Sequence, residues 1–467
     1  MKKIGILFLV FVLLFCLIAC DKENNGGCDL EREIKAFVLP EKPNYGGEVS
    51  VHDPSVLKAL DGNYYAFGSH FAVSKSKDLI SWKQVSRDGG HLNLYSDWRT
   101  VIKNALDYVP EARSTWAPAV VILNDKYYMY YSLSTFGSQV SYIGRVEADS
   151  PLGPYTNSVE ILRSGELNGP NAIDPEVFFD KDERLWMVYG SFFAGIYIIE
   201  LHNKGAKIGL PKEEGFGKRL WAGNMQNGPE GPYIFYNPST DYYYLMTSHG
   251  SLANNYNMRI ARSKNPDGPY FDPYGNDVAD VQAGGAKLAG NHQFAGQERG
   301  LAALGHNSVI REGCEYFVVH HLRYREGINR VSGYHNQQTR QLFFNEDGWP
   351  VLSPNRYAGE KLGSFTLDDI SGNYDLIFHT NENAVSFSES INCEFKTDGS
   401  IYHEDKKIGT WKLLADYCLT LTFENEVYKG VVVPQWIEHL NCPGIGISAL
   451  AEAKDNQASG IWALKST

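Results

Sequence analysis

A unit that recurs five times restricts this chain more than any other feature of its sequence. The first copy runs from His52 to His70 (HDPSVLKALDGNYYAFGSH) and the second from Trp116 to Ser134 (WAPAVVILNDKYYMYYSLS). The third spans Ile173 to Phe192, the fourth Pro229 to Gly250, and the fifth Gly305 to Tyr324. Each begins with a small or polar lead-in carrying Pro or Gly, followed by a short apolar strand. A turn rich in Asp, Asn or Gly then leads into an aromatic, β-branched strand, which is the pattern of a β-hairpin. The period is roughly 60 residues, in the range of repeat architectures. The outer half repeats as well: Asp149–Tyr155 (DSPLGPY) echoes Lys264–Tyr270 (KNPDGPY), and Ser76–Trp82 fills the same place in the first unit. Helical periodicity is nearly absent.

About four short strands per unit and five units closing around an axis make an all-β, five-bladed β-propeller. Radial closure also removes most free sheet edges. A β-sandwich or parallel β-helix is the competing architecture, but a β-helix repeats every ~20–25 residues and no such period is present. From about Gly363 the pattern changes to alternating strands and Asp-Gly turns, such as Tyr417–Phe423 and Thr397-Asp398-Gly399. The expected organisation is a propeller over residues 46–360 and a smaller C-terminal β-barrel or sandwich over 361–467. Gly409-Thr410-Trp411 and Gly460-Ile461-Trp462 are the expected barrel-closing strands.

When the repeats are superposed by their turns, one slot holds Asp53, Trp116, Asp174, Glu230 and His306. The slot opens the first strand of each copy, and in a propeller that strand lines the central channel. Three carboxylates from distant positions would then share one pocket. A lone Asp-Pro is commonly a turn opener, but three converging acids raise one another's pKa and are unfavourable without a purpose. Glycoside hydrolysis uses such an arrangement: one carboxyl stays protonated to serve the leaving oxygen, and another stays ionised to activate water.

These segments resemble glycoside hydrolase family 43, its arabinanase branch in particular. The resemblance rests on His52-Asp53-Pro54-Ser55-Val56, Trp116-Ala117-Pro118, Ala172–Phe178, Gly228–Tyr233 and Gly305–Ser308, and covers roughly His52 to Val351. It implies an inverting enzyme with Asp53 as general base, Glu230 as general acid, and Asp174 tuning the acid's pKa and orienting it. In an inverting enzyme the two carboxyls stand about 6.5–9.5 Å apart. The resemblance further implies a calcium ion held near His306, mostly through water, and no organic cofactor. The family's Trp-Ala-Pro segment continues with an acid, where this chain has Ala119. Trp116 is a candidate for stacking on a sugar ring. Asn171, Ser191, Phe192 and His249 are secondary substrate-binding candidates. Strand alternation sends His320 and His321 to opposite faces, so at most one faces the channel.

The chain starts with Met1-Lys2-Lys3 and an apolar run to Ala19, too short to span a bilayer and patterned as a secretory signal. Leu17-Ile18-Ala19-Cys20 resembles a bacterial lipobox, with Cys20 as the acylated residue. Residues 1–19 then form the leader and 20–45 a polar tether, and acyl chains are the sole membrane attachment. The expected location is the outer membrane of a Gram-negative bacterium, on its periplasmic or outer face. Loss of the leader removes two lysines and no acid and takes the formal charge from −12 to −14. That charge argues against a nucleic-acid partner. Of seven cysteines, none forms a CxxC pair. The late three, Cys393, Cys418 and Cys442, supply at most one bridge.

The leading expectation is hydrolysis of internal α-1,5-L-arabinofuranosyl linkages of plant arabinan. An exo-acting α-L-arabinofuranosidase or β-xylosidase on the same fold is the alternative, decided by loops such as Ser86–Asp107 and Gly275–Gly300. A non-catalytic glycan-capture lipoprotein is the alternative of another class.

Overall fold

Each repeat folds as a four-stranded antiparallel sheet whose alternation buries both faces against neighbouring sheets. The computed structural model describes residues 34–466, apart from 88–93, 166–168, 281–283, 329 and 453–457. The leader, Cys20 and most of the tether lie outside the described residues. The inner strands of the five blades are Ser55–Lys58, Trp116–Leu123, Glu176–Phe179, Glu230–Asn237 and Leu301–Glu312, and they neighbour one another in a closed ring. Blades one to four have four strands each, ordered outward as in the sequence. In blade five, Glu315–Tyr324, Asn336–Phe344 and Pro350–Leu352 follow outward. Two short strands, His292–Gln293 and Ser388–Glu389, extend the same sheet on the other side of its inner strand. The protein is thus a five-bladed β-propeller, and among the described residues helix is confined to short segments such as Trp98–Val101 and Lys103–Tyr108.

Eight strands from Gly372–Thr380 to Ala458–Ser466 form a closed C-terminal barrel, in which the last strand pairs with the first (Ile377 opposite Trp462). Gly460-Ile461-Trp462 therefore closes the barrel as expected. Gly409-Thr410-Trp411 does not: it lies mid-barrel, paired to Leu421–Phe423 and to Ser400–Ile401. One apolar core runs across the seam, joining Phe235, Leu304 and Val351 of the propeller to Val433, Ile437 and Trp462 of the barrel. Arg340 lies over the Trp462 ring, and Gln435 bonds Ser353, Asn355 and Glu360. The late cysteines do not form the one bridge they could have supplied: Cys393, Cys418 and Cys442 are free thiols on separate strands, whereas Cys314 is disulfide-bonded.

Candidate active site

The site is built from a backbone kink that every blade repeats. At the mouth of each inner strand one residue adopts a left-handed conformation: Asp53 (φ 54°), Ala117 (35°), Asp174 (57°), Gly231 (55°) and His306 (45°). Each such non-glycine residue is strained by about 1–3 kcal/mol and persists only where its surroundings hold it. This corrects the slot expected from the turns. Blades two and four are displaced by one residue, so Trp116 and Glu230 stand one position upstream of Ala117 and Gly231. The shift places Gly231 against the ring of His306, where an added Cβ would lie 3.0 Å from Nδ1.

Side chains at the end of each second strand hold the kinks. Ser69 Oγ accepts from Ala117 N–H (2.8 Å), Ser132 Oγ from Asp174 N–H (3.1 Å) and Ser248 Oγ from His306 N–H (2.7 Å), while His321 Nδ1 accepts from Asp53 N–H (3.1 Å). Blade three breaks the pattern. Ser191 Oγ donates instead to Glu230 Oε2 (2.9 Å), and the Gly231 N–H turns to Asp174 Oδ2 (3.1 Å). The departure from five-fold regularity thus falls on Asp174 and Glu230.

The three acids share one environment but not one charge state. Asp53 is 7% exposed; its Oδ2 accepts from Ser69 Oγ at 2.5 Å, and its Oδ1 lies 3.0 Å from His306 Nδ1 and 3.1 Å from His52 Nε2. Burial works against its charge, but His306 and His52 outweigh burial and hold this carboxyl well below the usual range. His306 moves the opposite way: burial opposes its charge, Asp53 overcomes that, and the imidazole rises to about 9. Burial pushes Asp174 up to about 8, with Glu230 and Asp53 adding to the rise and His306 opposing it. Glu230 is also raised, by burial first and by Asp53, against His306, Tyr256 and Ser191. The site therefore sets a carboxylate held ionised beside two interacting carboxyls that both hold their protons more tightly than usual, the division that single-displacement glycoside hydrolysis requires.

Sequence comparison agrees with this geometry. Residues 47–350 match the model of glycosyl hydrolases family 43, and residues 354–460 that of a C-terminal lipocalin-like domain. The chain belongs to glycosyl hydrolase family 43. This family 43 chain is 38% identical to extracellular endo-α-(1→5)-L-arabinanase 2 of Bacillus subtilis, over 88% of its own length and 93% of the relative's. It is also 38% identical to the extracellular endo-α-(1→5)-L-arabinanase of Thermotoga petrophila, over 86% and 91%. The crystal structure of the endo-1,5-α-L-arabinanase from Thermotoga petrophila superposes with a TM-score of 0.84 at 35% identity, covering 91% of this chain and all of that one.

The other expected residues of this family 43 site fall into two groups. Trp116 is half-exposed beside the kink, and Phe192 (φ 46°) donates its N–H to Pro229 O at 2.8 Å, bracing the residue before Glu230. Asn171 and His249 are buried. Asn171 Oδ1 accepts from Ser141 Oγ at 2.6 Å, and His249 packs on Trp221 with ring centroids 5.4 Å apart. Other residues join the site without having been assigned a role from the sequence. His52, His321 and His335 offer nitrogens within 4.8 Å of one another, a grouping that could hold a metal ion, and His306 is outside it. The His52 and His335 rings stack at 3.9 Å, and His335 Nε2 accepts from Arg323 Nε. As expected from alternation, only His321 of its pair touches Asp53, at 3.6 Å. Glu176, two residues after Asp174, is pushed to about 8 by burial and lines a small axial cavity with Asp53, Asp174, His306 and Asn307. A cavity of about 820 Å³ lies off the axis between Gln293–Arg299, Arg325–Gly327 and Glu389–Ser390. It contains none of the three axial acids; the chemistry belongs to the narrow axial site.

Proposed function

We propose that this protein is an inverting endo-α-1,5-L-arabinanase in which Asp53 is the general base and Glu230 the general acid. The convergence of Asp53, held well below the usual carboxylate range, with Asp174 and Glu230, both raised above it, carries the reading. Asp53 takes a proton from water as the water oxygen bonds to the anomeric carbon. The bond from that carbon to the O5 oxygen of the next arabinose breaks, and Glu230 protonates the departing oxygen. Asp174, bonded to the Gly231 N–H, keeps Glu230 oriented and protonated. Family membership and the extracellular endo-arabinanases to which the chain is similar support arabinan as the substrate.

Product size tests the reading. Linear arabinan is expected to yield mixed oligosaccharides early in the reaction, with viscosity falling faster than reducing ends appear. Arabinose alone from the first minutes would place the protein with exo-acting enzymes, and arabinan binding without any new reducing ends would make it a capture protein.

The axial residues fit a calcium ion. His306 meets Asp53 through Nδ1, so Nε2 is the nitrogen that would ligate the ion, giving up its imidazolium proton as the ion binds. Asn307 Oδ1 and Nδ2 are buried without partners in an oxygen-rich cavity that also holds Glu176. Bound there, the ion would supply positive charge that keeps Asp53 ionised. Calcium added to chelator-treated protein is expected to raise the unfolding midpoint by mass action, and His306→Ala to remove the response. An unfolding curve indifferent to millimolar calcium counts against the ion.

A further inference from the structure

The barrel reaches the acid side of the active site through one asparagine. Asn383 lies between the barrel strand Gly372–Thr380 and the short strand Ser388–Glu389. Its Oδ1 accepts from Asn257 Nδ2 at 2.8 Å and from Arg259 Nη2 at 3.0 Å, and its main-chain oxygen accepts from Asn255 Nδ2 at 2.7 Å. Its own Nδ2 donates to Asn227 Oδ1 at 3.3 Å, three residues before Glu230. Two buried cations of blade four hold the rest of the segment. Arg259 donates to Asn381 O (2.5 Å) and Asn381 Oδ1 (3.2 Å), and Lys287 Nζ to Glu382 O. Burying a guanidinium and an ammonium in one place is unfavourable, and the oxygens offsetting it here come largely from this barrel segment.

Between the two gripped asparagines stands Tyr256. Its ring is fully buried, with His321 stacked at 5.7 Å and Gly305 so close that an added Cβ would meet the ring at 2.4 Å. Its hydroxyl is buried without a hydrogen-bond partner among the described residues and interacts with the Glu230 carboxyl; Gly305 lies against both the Tyr256 ring and Ser248, the residue opposite Glu230 in the sheet. The ring thus has little freedom except along its own chain, and Asn383 fixes that chain on both sides of the residue.

We propose that Asn383 is a positioning residue for catalysis: by holding Asn255 and Asn257 it sets Tyr256 against Glu230, so that the C-terminal barrel completes the acid side of the active site. The proposal rests on Glu230 being the acid. In the full chain, Asn383→Ala is expected to lower kcat on linear arabinan about tenfold, with KM within about twofold, since small displacements of a catalytic group act on the transition state. Asn383→Asp keeps the acceptor for Asn257 and Arg259 and is expected to return kcat to within about twofold of the parent. Tyr256→Phe should show a similar loss, and the double variant no further one. An unchanged kcat in Asn383→Ala, a rise in KM alone, or losses that multiply in the double variant would overturn the proposal. Asn383→Ser carries the same expectations if the alanine variant does not fold. Crystal structures separate this proposal from the catalytic assignment: Tyr256 is expected to move away from Glu230 in Asn383→Ala, and an unmoved ring refutes the role of Asn383 whether or not the parent protein cleaves arabinan.

Discussion

Asp53→Asn is expected to reduce turnover of arabinan by about 10²–10⁴-fold or more, the range for loss of a positioned general base, with the fold intact. Asparagine matches the shape of Asp53 and can still accept from Ser69 Oγ, but it cannot take a proton from water. Glu230→Gln should cause a comparable loss for a different reason. The amide cannot protonate the departing oxygen, yet it can still accept from Ser191 Oγ. The two variants are told apart by a substrate whose leaving group needs no proton, such as a nitrophenyl arabinofuranoside. On that substrate Glu230→Gln should recover much of its rate, and Asp53→Asn should recover none. Circular dichroism and the unfolding midpoint check that each variant is folded. Wild-type rates on arabinan in either purified variant would refute the assignment of that residue, and recovery of Asp53→Asn on the activated substrate would exchange the two roles.

The sequence carried the blades because each sheet has to bury its own faces, and that requirement repeats visibly as hairpins of apolar and aromatic strands. Asp53 and Asp174 were legible through the same repetition, each followed by Pro. The one-residue displacement at Trp116 and Glu230 was not taken from the turns, since turn lengths differ between blades. It has a signal nonetheless: Asp53-Pro54, Ala117-Pro118, Asp174-Pro175 and Gly231-Pro232 align by their prolines, and all four leading residues have positive φ. The serines that hold the kinks had a weaker trace, because Ser69, Ser132, Ser191 and Ser248 each end a second strand. His52, His321 and His335 meet only because blades one and five close the ring, which no local pattern encodes. Tyr256 and Asn383 stand in no repeat, and a separation of more than a hundred residues is bridged by hydrogen bonds that composition does not reveal. For the barrel, alternation showed strands; which strands close on each other depends on register, and Trp411 and Trp462 look alike in sequence while occupying different places.

A bell-shaped pH dependence of kcat/KM is expected, with an alkaline limb that moves to lower pH in Asp174→Asn. Activity rises with pH as Asp53 ionises, and because His306 and His52 hold that carboxyl well below its ordinary range, the rising limb lies at low pH. Activity falls with pH when the acid side loses its proton. Asp174 and Glu230 are both raised and interact, so the limb belongs to the pair and not to either residue alone; with Asp174 near 8, it lies in the weakly alkaline range. Removing a negative charge beside a carboxyl lowers that carboxyl's pKa. With asparagine at position 174, Glu230 keeps the upward push of burial and Asp53 but loses a neighbour that becomes charged in the same alkaline range, while His306, Tyr256 and Ser191 still favour its ionised form. The acid then deprotonates earlier, so the variant should lose more activity at pH ~8 than at pH ~5. Initial rates between about pH 2 and 10 are needed to give both limbs. If Asp174 only filled the slot of blade three, its replacement would scale the whole profile down and leave both limbs in place; a shift of the alkaline limb alone requires that its charge act on Glu230.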